Sequence, residues 1–193
     1  SMDFTEGDIQ NVIRSIRQKR PDCVVLALGE MPYTEFVGNL EDLSLFENQK
    51  ALVRSVHALG VPIVGVFIEG RPRTFADIES LMDAIVMAYL PGDYGGQAIA
   101  QVLDGSYNPS GRLPFTWPRY PSSHMTYDYK YAERANPGDS TGGFNPQFPF
   151  GHGLSYSEVE YSDLRLDQVS YSEGDTITGS VSITNTGDRT VNE

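Results

Sequence analysis

Ile9, Val12, Ile13 and Ile16 recur at i, i+3, i+4 and i+7, the apolar stripe of one helix face. The period then gives way to an unbroken apolar run, Cys23-Val-Val-Leu-Ala-Leu28, the pattern of a parallel strand buried on both faces, with Cys23 an inert buried thiol. The alternation repeats. Leu52, Val53, Val56 and Leu59 predict a second helix that Gly60 stops, and Val61 to Ile68 a second buried strand, with Pro62 tolerable only at its start. A short helix around Ile78, Leu81 and Met82 leads to a third run, Ala84 to Leu90. Ala98, Ile99, Val102 and Leu103 then predict a helix opened by Gly95-Gly96. Helices alternating with continuous apolar strands predict an α/β fold, a parallel sheet with right-handed crossovers.

Between Asn108 and Phe150 the periodicity vanishes into a segment crowded with proline, Tyr and Phe, including Pro137, Tyr129 and Tyr131. A run this long without pattern inside a compact domain reads as a strap laid over apolar surface. From Tyr156 the pattern turns to β. Ile177, Gly179, Val181 and Ile183 alternate with Thr and Ser as one face of a half-buried antiparallel strand, and Tyr161, Leu164 and Leu166 mark an earlier one. Two strands cannot complete a β-sandwich, which needs about 7. The expected organisation is an α/β domain over 1–119, a strap and linker over 120–155, and the start of a β-sandwich module over 156–193.

Fourteen basic against 26 acidic residues leave a net charge of -12. Such a field repels nucleic acid and anionic membrane surfaces and suits neutral ligands such as sugars. Neither a nucleic acid nor a membrane is expected as a partner, and no apolar run approaches the ~18–20 residues of a membrane span. The single cysteine excludes an intrachain disulfide without fixing a compartment. Ser1-Met2 reads as an appended leader, so the natural protein is expected to begin upstream.

In open parallel sheets ligands bind outside the carboxyl ends of the strands. The three strands run into Gly29 to Gly38, Glu69 to Arg73 and Pro91 to Gly96, so one edge is expected to gather Glu30, Glu35, Glu69, Asp93, Arg71 and Arg73. Glu35 stands on a loop long enough to reach another domain; read alone it is also compatible with a solvated loop carboxylate. Arg71 and Arg73 could contact a sugar or form salt bridges with Glu69 or Asp93. Trp117, with Tyr120 and Tyr127 nearby, could stack on a pyranose or simply pack the strap. Gly92, Gly95 and Gly96 lack the G-x-G-x-x-G spacing of a dinucleotide fingerprint, so no nucleotide cofactor is expected. His57, His124 and His152 form no cluster of metal-ligand spacing, so no metal is expected; His152 reads as a turn residue bonding the backbone.

Four collinear segments carry a family resemblance: Leu28-Gly-Glu-Met-Pro-Tyr-Thr-Glu35, the run from Leu90-Pro-Gly-Asp-Tyr-Gly-Gly96 through Gly111-Arg-Leu-Pro-Phe-Thr-Trp-Pro-Arg119, Phe148-Pro-Phe-Gly-His-Gly-Leu-Ser-Tyr156, and Thr184-Asn-Thr-Gly187. Together they resemble the C-terminal α/β domain of the family 3 glycoside hydrolases, the β-glucosidase family, followed by the start of its fibronectin-III-like module. The resemblance implies an α/β sandwich truncated at its N-terminal side, since relatives have five or six strands. It aligns Glu35 with the catalytic acid/base, leaving Glu30, directly after the strand, as rival or as a brace for the loop. Asn39 departs from the charged residue many relatives carry there. The implied activity of the parent is retaining hydrolysis of terminal nonreducing β-D-glucosyl residues, without a cofactor. Its substrate would be an oligosaccharide or glucoside. The nucleophile is expected on an N-terminal (β/α)8 barrel, which needs about 250 residues, so this chain by itself is expected to be inactive. Arg71, Asp93 and Trp117 are the weaker substrate-binding candidates. The alternative is a non-catalytic carbohydrate-binding or structural module. A secreted or periplasmic parent is the expectation, and xylose or glucosamine could replace glucose.

Overall fold

The computed structural model describes residues 4–123, 125–128 and 145–193. Expectations resting on His124, Tyr129, Tyr131 and Pro137 fall outside them. The elements run α1 (Glu6–Lys19), β1 (Val24–Gly29), α2 (Glu47–His57), β2 (Ile63–Ile68), β3 (Ala84–Met87), α3 (Gly95–Leu103), β4 (Val159–Leu166) and β5 (Gly179–Asn185), with short 3₁₀ turns at Glu35–Gly38 and Glu79–Leu81. The chain divides into two compact units, Ser1–Ile99 with Leu113–His152, and Ala100–Arg112 with Gly153–Glu193.

In the first unit β1, β2 and β3 form a parallel sheet in that order, with Leu26 opposite Gly65 and Gly65 opposite Ile85. α1 starts on a capping box in which the Thr5 hydroxyl accepts from Asp8 N–H while the Asp8 carboxylate accepts from Thr5 N–H. Its buried Ile9 and Ile13 share one core with Leu52, Val53 and Val56 of α2 and with Leu26, Leu28, Ile63 and Phe67 of the sheet. Those sheet residues alternate along the strands and so lie on one face.

The opposite face is more open than the continuous apolar run predicts: Val25 is 51% exposed, and Ala27 and Cys23 are exposed as well. β1 is an edge strand, and both helices pack on its other side. Pro62, lacking an N–H, delays β2 until Ile63, while its carbonyl accepts from Val24. β3 ends early. Ala88 N–H still bonds Phe67 O, but Tyr89 takes a positive φ of 53° and turns the chain out of the sheet. The expected short helix at Ile78–Met82 is a single 3₁₀ turn, Glu79–Leu81.

Trp117 and Phe148 form an antiparallel bridge, and Leu113, Phe115 and Phe148 pack against the core. Phe75 stacks on Phe67 at 4.3 Å and meets Trp117 edge-on at 5.8 Å. His152 accepts from Leu113 N–H, donates its own N–H to Pro149 O and stacks on Phe148.

In the second unit β4 and β5 pair antiparallel across a register shift between Ser162 and Arg165, where Asp163 has φ 53°. The half-buried face expected for β5 is not found. Every residue of β5 is exposed, because among the described residues no second layer packs on this ribbon.

Candidate active site

At the end of β1, Gly29 holds φ 131°, and a Cβ there would stand 2.1 Å from Ile68 O, so only glycine allows the strand to leave the sheet at this point. Gln49 of α2, fully buried, grips the same residue from both sides: Gly29 N–H donates to its Oε1 at 2.8 Å, and its Nε2 donates to Gly29 O at 2.7 Å. Beyond Gly29, Glu30 is buried and its two oxygens are taken by two arginines. Arg73 donates from Nε and Nη2 to Oε2 at 2.8 and 2.6 Å, and Arg71 donates from Nε to Oε1 at 3.0 Å. This fork geometry is strong and directional.

Arg71 also fixes the segment that follows. Its Nε donates to Tyr33 Oη at 2.7 Å, its Nη1 to Gly38 O, and its guanidinium lies 3.7 Å over the Tyr33 ring. The loop is thereby clamped on both sides of Glu35. Arg73 in turn donates from Nη1 to the carbonyls of Ser44 and Asp42, and its own carbonyl accepts the Trp117 indole N–H at 3.0 Å.

Glu35 stands exposed at the head of the 3₁₀ turn with φ 51°, the left-handed region that costs a non-glycine residue about 1–2 kcal/mol. Its carboxylate forms no hydrogen bond or ion pair among the described residues. Phe36 and Val37, beside it, are 84% and 85% exposed. The loop thus offers one uncommitted carboxylate followed by two exposed apolar side chains, on a backbone held from beneath.

The structure brings Glu30, Glu69, Arg71 and Arg73 together and leaves Asp93 apart, exposed on the turn after β3 without a partner among the described residues. Two expectations are corrected. Arg71 and Arg73 pair with Glu30, not with Glu69 or Asp93, because Glu30 leaves β1 pointing at the turn that follows β2. Trp117 has no face left for a sugar, since it is 2% exposed among Phe75, Phe115 and Phe148. Tyr120 and Tyr127, by contrast, are exposed. Gln49 was missed. Its signal is a polar residue at a position where the stripe of Leu52, Val53 and Val56 calls for an apolar one.

Residues 10–156 match the model of the glycosyl hydrolase family 3 C-terminal domain. The chain is 40% identical over 145 residues to a lysosomal β-glucosidase of Dictyostelium discoideum, covering 74% of this chain and 17% of that protein. It is 36% identical over 182 residues to a β-xylosidase of Formosa agariphila, covering 91% and 25%. Among solved structures, the β-glucosidase of Listeria innocua in complex with glucose superposes with a TM-score of 0.80 at 30% identity, covering 96% of this chain and 27% of that one. The chain therefore spans a quarter or less of the length of these two curated relatives. With a parallel sheet that superposes on a β-glucosidase and a family match running from α1 to Tyr156, the chain belongs to glycosyl hydrolase family 3 and carries its C-terminal domain.

Proposed function

We propose that this chain supplies the acid/base carboxylate, Glu35, to the active site of a retaining β-glycosidase, the remainder of which is a (β/α)8 barrel of the parent chain. The observation that carries the reading is the division of labour on one loop. Glu30 is consumed by two guanidiniums, whereas Glu35 is displayed uncommitted on a strained, clamped backbone. An acid/base must reach the glycosidic oxygen without breaking structural bonds of its own, and Glu35 has none to break among the described residues.

In the proposed reaction a carboxylate on the barrel attacks the anomeric carbon while Glu35 donates its proton to the leaving oxygen. The glycosyl-enzyme forms, the aglycone departs, and Glu35, now ionised, takes a proton from the water that releases the sugar. Closure of the barrel and substrate over Phe36 and Val37 would exclude water from the donor, the condition under which such an acid keeps its proton until needed. A β-D-glucoside is the substrate favoured by the glucosidase relatives, with a β-xyloside next because the Formosa agariphila relative is a β-xylosidase.

The test uses Glu35→Ala in the parent enzyme. Hydrolysis of glycosides with poor leaving groups is expected to fall by ~10²–10⁴-fold, while the first step on activated aryl glycosides is spared and external azide accelerates turnover. Azide rescue in Glu30→Ala but not in Glu35→Ala would reverse the assignment.

A further inference from the structure

Glu69 is the first residue after β2, fully buried. Its Oε1 accepts Arg73 N–H at 3.2 Å, and its Oε2 is buried without a partner among the described residues. A bare carboxylate oxygen away from water is costly unless the group carries a proton. The charged groups around it are Glu30 at the end of β1 and Arg71 and Arg73 on its own turn. Both guanidiniums are already bonded to Glu30. On the neighbouring elements, Asp42 accepts from Ser44 N–H and Lys50 pairs with Asp77. Burial pushes the Glu69 carboxyl up to about 8; the Arg73 N–H and the guanidiniums oppose this, and the charge of Glu30 adds to it.

We propose that Glu69 is a positioning residue that works in its neutral, proton-bearing form, bracing the Arg71–Arg73 turn from beneath, and that loss of its proton loosens the clamp on the Glu35 loop. The path is continuous: Glu69 Oε1 holds Arg73 N–H, Arg73 holds Glu30, Glu30 holds Arg71, and Arg71 holds Tyr33 and Gly38 on either side of Glu35. When hydroxide removes the proton, only the O–H bond breaks. The new anion then competes with Glu30 for the guanidinium of Arg73, and the rigid fork beneath the loop is divided between two carboxylates. The catalytic consequence rests on the Glu35 reading; the loosening itself does not.

Trp117 is the only tryptophan, and its indole N–H donates to the carbonyl of Arg73, the residue whose own N–H holds Glu69. Its emission therefore reports on this turn without any assay of activity. Titrated from about pH 6 to about pH 10, the chain is expected to show a one-proton emission change with its midpoint near 8. Glu69→Gln keeps the size and the accepting oxygen but cannot ionise. It is expected to abolish that change while retaining native circular dichroism. The same transition in the variant, or a flat wild-type titration, overturns the proposal. Should the variant fail to fold, the side-chain carboxyl carbon shifts of ¹³C-glutamate-labelled wild type give the answer directly, and no glutamate titrating above about pH 6 overturns it.

In the parent enzyme, Glu69→Gln is expected to move the alkaline limb of the pH–rate profile by about one unit or more without changing the dependence on leaving group. An unmoved limb together with a lost emission change overturns the coupling to catalysis and leaves Glu35 as the acid/base. Loss of leaving-group dependence as the signature of Glu35→Ala would sink the Glu35 reading while the emission change still stands.

Discussion

Glu30 and Glu35 leave the same strand end and meet opposite fates because of what lies opposite each. Glu30 meets the turn after β2 and is neutralised there; removing either arginine would leave a buried charge short of a partner, a loss of about 3–5 kcal/mol for such pairs. Glu35 meets solvent. Arg71 holds the loop by Tyr33 and Gly38, and only 19% of its side chain is exposed. A lysine would keep the charge but lose the planar fork. Arg71→Lys in the parent enzyme is therefore expected to lower kcat by roughly 10–100-fold, the scale of a small misplacement of a reacting group, and to do so equally for good and poor leaving groups. A drop confined to poor leaving groups would instead assign Arg71 to the proton transfer. The sequence placed these residues on one edge but could not pair them, since pairing depends on how far two turns approach each other.

At the scale of elements, the junction of β1 with its loop depends on a helix that is distant in sequence. Gln49 on α2 satisfies both backbone groups of Gly29, where the parallel ladder to β2 ends. Each of those groups left bare in the interior costs about 1–3 kcal/mol, so Gln49→Leu, similar in volume, is expected to destabilise the fold by roughly 2–6 kcal/mol. The urea midpoint measures it, and an unchanged midpoint would mean that water replaces the amide. The helices were legible because period 3.6 is a local property. The one-sided burial of β1 was not, because an unbroken apolar run states only that a strand can be buried, and the placement of α1 and α2 on one side decides which face is.

For the molecule as a whole, Glu69 makes stability depend on pH. Its carboxyl rises from 4.5 to about 8 on folding, so the native state holds a proton that the unfolded chain has released. The stability this group contributes is full below 4.5, declines as the pH rises across the window to about 8, and is gone above it. Wild type and Glu69→Gln are accordingly expected to converge or cross in stability through that window when urea unfolding is followed at several pH values. Parallel curves would show that Glu69 is ionised in the folded protein.

The order of elements, the parallel sheet and the family were all written in the sequence, because hydrophobic period, glycine and proline placement and short motifs act over a few neighbouring residues. The loop that carries Glu35, Gly29-Glu-Met-Pro-Tyr-Thr-Glu35, was likewise legible as a segment that follows a strand. Tertiary structure alone decided that Glu30 pairs with Arg71 and Arg73, that Trp117 lies inside and bonds Arg73, that Gln49 closes the end of β1, and that Glu69 is sealed beneath them. Each of these joins groups from different elements, and charge pairing, burial and proton affinity follow from distances in space that no local pattern encodes.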